Sequence, residues 1–160
     1  MNLREVRDLD RTMISVLLNT AYGRPEESRL VEAMRASGDM AMELVAEDAG
    51  KIIGHIAFAR LVEPEGWWAV GPLAVIRARQ DRGIGSEIVR YGLDRARQKG
   101  AKAIAVVGPP AYYRRFGFSR EAGAQLSSDY PRDYTLVYPI RPGTAGTAGR
   151  LVYPETFLMV

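Results

Sequence analysis

Between Gly71 and Lys99 an apolar strand end runs through an arginine- and glycine-rich loop straight into an amphipathic helix, and this unit constrains the fold more than any other stretch. Leu73-Ala74-Val75 ends the strand, and Gln80-Asp81-Arg82-Gly83-Ile84-Gly85-Ser86 opens the helix, with Arg77 and Arg79 between them. From Gly83 to Lys99 the residues Val89, Leu93 and Ala96 form one stripe flanked by Ile84 and Ile88, and Gly100 stops it. The first turn of a helix carries unpaired N–H groups and the positive end of the macrodipole. Glycines at 83 and 85 let the backbone approach a ligand without a Cβ in the way. The segment therefore reads as an anion cradle suited to a pyrophosphate. Taken alone, a G-x-G of this kind is equally an ordinary glycine turn at a helix start. A dinucleotide fingerprint would need a third glycine where Ile88 stands, and a P-loop would need Gly-Lys-Ser/Thr; neither is present.

The flanking pattern supplies the rest of the frame. Leu3 and Val6 suggest a short first strand. A helix capped by Asp8 or Asp10 is expected through Tyr22, with Met13, Val16 and Leu17 on its apolar stripe. Pro25 starts a second helix to Ala36, with Glu26 and Glu27 in its first turn and Leu30, Val31 and Met34 at helical spacing. Glu43–Glu47 and Lys51–Arg60 then read as a hairpin about Asp48-Ala49-Gly50. In the second of these strands Ile52, Gly54, Ile56 and Phe58 are expected on one face and Ile53, His55, Ala57 and Ala59 on the other, so both faces should be covered. Trp67–Val75 continues the meander, and Gly71-Pro72 inside it predicts a bulge or a parting from the neighbouring strand, since proline cannot donate to a ladder. A buried strand over 101–107, a short helix from Pro109-Pro110 to Phe116, a polar surface excursion over 119–133, a strand over 135–140 and a last one over 150–153 complete the order. Met34, Met40 and Met42 read as core filler, and at least one of Trp67 and Trp68 as packing.

Composition narrows the chemistry. The 160 residues suit one domain spanning 1–160, with 47% apolar and 26% charged residues as in a globular chain. No apolar run is long enough for a membrane span, and the charged start does not read as an export signal, so a cytoplasmic protein is expected. Zero cysteines exclude disulfides, a thiolate zinc site and a thiol nucleophile, and the single histidine, His55, excludes a histidine-rich metal centre. No metal is expected. The formal charge of +3 suits an anionic ligand but is too small and dispersed for nucleic acid.

With Gln80, Gly83 and Gly85 the loop meets a Q/R-x-x-G-x-G/A pattern, and Tyr112-Tyr113-Arg114-Arg115-Phe116-Gly117-Phe118 supplies a Y-x-x-x-G-F segment downstream. In both, and in element order over residues 3–140, the chain resembles the GNAT superfamily of N-acetyltransferases. The resemblance implies an α/β (α+β) fold: a mixed, mostly antiparallel sheet of six to seven strands, splayed at its centre, with about four helices on both faces. It implies acetyl-CoA as cosubstrate, with the backbone of Leu73, Ala74 and Val75 along the pantetheine arm and Gln80, Asp81, Arg82, Gly83, Ile84, Gly85 and Ser86 at the pyrophosphate. It gives Tyr113 the role of protonating the departing CoA thiolate, chemically reasonable for a phenol of pKa ~10. A packing aromatic is the plain alternative for Tyr113.

Two departures follow. Relatives often carry an asparagine after the fifth strand, where this chain has Gly108-Pro109-Pro110. They also often carry a glutamate as general base on the strand before the loop, and Trp67–Val75 holds no acid. A water relay, Glu26, Glu27 or His55 remain as sources of a base, although the two glutamates also read as helix-start charges and His55 as a half-buried strand residue. The expected function is acetyl transfer from acetyl-CoA to a small-molecule or peptide amine by direct attack, with a non-catalytic acyl-CoA-binding or sensing domain as the alternative. Phe157, Leu158, Met159 and Val160 make an unusually apolar tail, which would dock on the chain's own sheet or on the second subunit of a homodimer.

Overall fold

Parted strands at the centre of a six-stranded sheet organise the molecule. The computed structural model describes residues 1–159, the last of them by its backbone only; Val160 lies outside the described residues. Chain order is β1 (Asn2–Glu5), α1 (Arg11–Tyr22), α2 (Glu26–Ser37), β2 (Met40–Asp48), β3 (Lys51–Arg60), β4 (Trp68–Val75), α3 (Ile84–Gln98), β5 (Ala103–Val107), α4 (Pro110–Tyr113), β6 (Leu126–Ser127), β7 (Thr135–Pro139) and β8 (Gly149–Arg150). The large sheet runs β1-β2-β3-β4-β5-β7, antiparallel except between β4 and β5, while β6 and β8 pair in a two-stranded parallel sheet. This is the mixed, mostly antiparallel architecture expected. Among the described residues no helix is long and apolar enough to cross a membrane.

The two sheet faces are covered differently. On one, α3 presents Ile88, Val89, Leu93 and Ala96 to Leu44, Ile56 and Phe58. On the other, α1 and α2 bring Ile14, Leu17, Leu18, Leu30, Val31 and Met34 against Val45, Ala57 and Ala59. Both tryptophans are buried, Trp68 in the α3-side core and Trp67 on the opposite face with Ala69, Ala105 and Val137. The apolar stripe of α1 is rotated from the expected one: Met13 and Val16 are half exposed at 52% and 51% while Ile14 and Leu18 are fully buried. Both sets satisfy helical spacing, and only docking on the sheet decides between them. In β3, Ile53 is the extra residue of a bulge opposite Ala46 and Glu47, so it joins the Ile56 side while Ile52 packs on the other, the reverse of strict alternation.

The 119–133 excursion is better packed than its polarity suggests, with Ala122 and Leu126 buried against the sheet and β6 inside it. The tail folds back on its own chain: Phe157 packs against the core under α1 and α2, and the Thr156 hydroxyl donates to Asp39 Oδ2 at 3.1 Å. Leu158 stays exposed.

The splay has a local cause. Ile56 faces Leu73 and Phe58 faces Val70, so Gly71 and Pro72 together oppose Ala57 in a bulge. On its other side β4 pairs with β5 only through Trp68↔Ile104 and Ala69↔Ala105. Beyond Ala69 the two strands part, as Gly71-Pro72 just after it predicts.

Candidate active site

The gap opens onto a row of backbone groups. The Ile76 N–H donates to the Ile53 carbonyl at 2.9 Å, so alternation turns Ala74 towards β3 and leaves Leu73 and Val75 facing the gap. Ala74, expected to contribute its backbone to the pantetheine arm, is thereby taken up by the sheet, and its side chain is buried under α1 and α2. The two gap-facing residues have provisional partners. The Leu73 N–H donates to the Tyr22 hydroxyl at 3.2 Å, and that hydroxyl donates back to the Leu73 carbonyl at 3.0 Å. Gln80 Nε2 donates to the Val75 carbonyl at 3.0 Å.

At the far end of the gap the glycine loop and the start of α3 line a cleft of about 480 Å³. Val75, Gln80, Asp81, Gly83, Ile84, Gly85 and Ser86 all line it, together with Arg79, Tyr112 and Arg115. Gly83 caps α3 with a φ of 78°, a left-handed conformation that suits glycine. Arg79 is braced by Asp48 at 2.8 Å on the hairpin turn. Arg115 donates to Ser86 Oγ at 3.0 Å and lies 4.5 Å from the Tyr112 ring centroid. Arg82, expected here, is exposed and outside the lining. Arg115 was visible in sequence only as a neighbour of the tyrosine motif; its approach to the loop depends on α4 folding back over α3.

Tyr113 stands at the C-terminal end of β5. Its ring meets Tyr112 at 5.0 Å and Phe118 at 5.6 Å, both edge-on. It also lies over Gly108, where a Cβ would come within 2.5 Å of the ring. That contact leaves no room for the asparagine common in relatives. The hydroxyl has no hydrogen-bond partner among the described residues, and burial, with smaller contributions from Tyr112 and Tyr22, pushes its pKa well above the ordinary tyrosine value. The group therefore stays protonated across the ordinary pH range and is available as a donor.

At the other end of the gap, over Gly71-Pro72, lies a second cleft of about 270 Å³. Leu30, Val70 and Val107 line it with the aromatic side chains of Tyr22, Tyr130, Tyr153 and Phe157, and Glu27 brings its one charge. Of the three side chains named as sources of a base, only Glu27 lines it. Its carboxylate is buried, with 6% of the side chain exposed, and both oxygens accept from Arg24. Glu26 pairs with Arg24 outside the cleft.

His55 is fully buried rather than half-buried, and stands apart from both clefts. The Glu43 carboxylate accepts from its Nε2 at 2.7 Å and from Arg35 Nε at 2.8 Å. Burial pushes the Glu43 carboxyl up, but the bonds from Arg35 and His55 outweigh it and hold it below the ordinary range. This buried triad ties the C-terminal end of α2 to the sheet, a structural role. Among the described residues no group of three or more acidic or histidine side chains is placed to hold a metal.

Comparison with known proteins agrees with this geometry. Residues 11–118 match the acetyltransferase (GNAT) family model. The chain belongs to the GNAT acetyltransferase family. A GNAT relative, the uncharacterised N-acetyltransferase YhbS of Escherichia coli, is 33% identical over 136 residues, covering 82% of this chain and 81% of YhbS. The structure of Escherichia coli YhbS in complex with CoA superposes with a TM-score of 0.91 at 30% identity, covering 98% of this chain and 91% of that one. A GNAT acetyltransferase of Brucella melitensis in complex with acetyl-CoA gives 0.84, again at 30% identity, with 98% and 97% covered.

Proposed function

We propose that the protein transfers an acetyl group from acetyl-CoA to an amine by direct attack. The observation that carries this reading is the parting of β4 from β5 after Ala69, which leaves the Leu73 and Val75 backbone facing a gap that runs into the glycine loop. The pantetheine arm lies along those groups as a surrogate strand, displacing the Tyr22 hydroxyl and the Gln80 amide. The amides opening α3 take the pyrophosphate, helped by Arg79 and Arg115. Two similar proteins bound to CoA and acetyl-CoA support the choice of cofactor.

Chemistry then takes place between the two clefts. Holding thioester and amine together removes most of the cost of a two-substrate encounter. The neutral amine attacks the thioester carbonyl, whose developing negative charge is met by the Leu73 N–H. The new N–C bond forms as the C–S bond breaks. Tyr113 gives its proton to the thiolate and regains one from solvent, which receives the proton lost by the amine. No enzyme-bound acyl intermediate is required.

A CoA-release assay with a panel of amines tests the reading. Release that depends on acceptor and falls in Tyr113→Phe is the expected outcome. Tight acetyl-CoA binding with no release for any amine would instead make the protein a non-catalytic acyl-CoA-binding domain.

A further inference from the structure

The cleft over Gly71-Pro72 is small, aromatic and carries one charge. Its volume of about 270 Å³ corresponds to roughly nine water volumes at about 30 Å³ each. Glu27 is its single charged lining residue. Arg24, half exposed, gives one hydrogen bond to each carboxylate oxygen, and each oxygen keeps a second acceptor position for a guest. Opposite stand rings in mutual contact: Tyr130 and Tyr153 edge-on at 4.9 Å, Tyr153 and Phe157 at 5.3 Å. The Tyr153 hydroxyl is buried with no partner among the described residues, a polar atom that a guest could satisfy.

We propose, resting on the acetyl-transfer reading, that this cleft selects a small primary amine with a single positive charge and an aromatic or branched apolar body. Its ammonium is drawn in at Glu27 and gives up a proton to solvent before the nitrogen attacks, and its body lies among Tyr22, Tyr130, Tyr153 and Phe157. Aromatic faces attract a cation as well as apolar surface. A polyamine or an aminoglycoside carries several charges, and all but one would lie unpaired against apolar walls. A peptide needs hydrogen-bond partners along its backbone, and these walls present few.

Calorimetry on the full chain tests this with phenethylamine, its uncharged analogue 2-phenylethanol and spermidine, each with and without saturating CoA. Phenethylamine should bind at least about tenfold more tightly than either of the others. Glu27→Gln should bring it to the level of the alcohol while CoA affinity stays within about twofold. Phe157→Ala, a change in the tail that avoids the start of α2, should weaken phenethylamine at least about threefold. Spermidine binding as tightly as phenethylamine, or phenethylamine binding unmoved in both variants, overturns the proposal. Failure of CoA itself to bind would count against the acetyl-transfer reading, and the cofactor-free titrations would still decide the amine proposal.

Discussion

The cleft at the start of α3 takes eight of its ten lining residues from the single stretch Val75–Ser86, whereas the cleft over Gly71-Pro72 gathers its lining from α1, α2, β4, β5, the 119–133 excursion and the tail. The first is one loop and the helix start that follows it, as the proposed binding of an unvarying pyrophosphate requires. The second is side chains from separate elements, several of them in mutual contact. The cleft proposed for the cofactor is therefore written in contiguous residues, while the one proposed for the acceptor is assembled by packing. Tyr113 lines neither cleft but is influenced by a tyrosine of each, Tyr112 of the first and Tyr22 of the second.

The sharpest way to break this division is at that residue. Tyr113→Phe keeps the ring and removes the proton donor, so kcat should fall by about 10²–10⁴-fold, with acetyl-CoA affinity and Tm nearly unchanged. Because burial raises the Tyr113 pKa above its ordinary 10.0, loss of its proton should leave no basic limb in kcat below about pH 10. Steady-state kinetics beside a thermal melt separates this from a packing role, which would lower Tm instead.

Next in size is the buried link between α2 and the sheet. Glu43→Ala leaves Arg35 and His55 buried without their carboxylate, at a cost of about 3–5 kcal/mol in denaturant unfolding. The folded-state pKa of Glu43 is lowered, so its contribution is full above the ordinary value of 4.5 and is lost as pH falls below it. Parent and variant stabilities should thus converge on acidification. Equal differences at pH 7 and pH 3 would show that the carboxylate charge contributes nothing.

On the cofactor side, Gly85→Glu places a Cβ 3.1 Å from the Tyr112 hydroxyl and a negative charge where phosphates are expected. Acetyl-CoA affinity should fall at least about tenfold, or 1.4 kcal/mol, by calorimetry. An unchanged affinity in a folded variant would remove the loop from the cofactor site. Smallest is Tyr22→Phe, which frees the Leu73 N–H and carbonyl from the hydroxyl now holding them. Acetyl-CoA should bind a few-fold more tightly, in line with the net 0.5–1.5 kcal/mol of an ordinary hydrogen bond. Weaker binding would mean that Tyr22 supports the thioester rather than competing for its place.

Much of the fold was legible before any coordinates. The hairpin about Ala49-Gly50, the bulge at Gly71-Pro72 and the long helix after Gly83 depend on local conformational rules, and all three stand where the residues put them. The face of α1, the orientations of Ile52 and Ile53 and the packing of residues 119–133 were not legible, because they depend on contacts with distant strands. His55 shows the same limit: nothing adjacent to it announces that Glu43 and Arg35 converge on its ring.

The sequence by itself determined that a strand ends in a glycine loop at a helix start, and that Gly71-Pro72 breaks the ladder beside it. Short-range sterics and the unpaired amides of a first helical turn suffice for both. Tertiary structure alone decided that Arg115 reaches Ser86 and that Glu27, rather than Glu26 or His55, lines the cleft over Gly71-Pro72. It also closed that cleft with Tyr130, Tyr153 and Phe157 from the last third of the chain. These residues are separated by up to the whole length of the sheet's connections, and no local preference records which of them will meet. Their meeting follows from burying apolar faces on both sides of one splayed sheet, a property of the whole chain rather than of any segment.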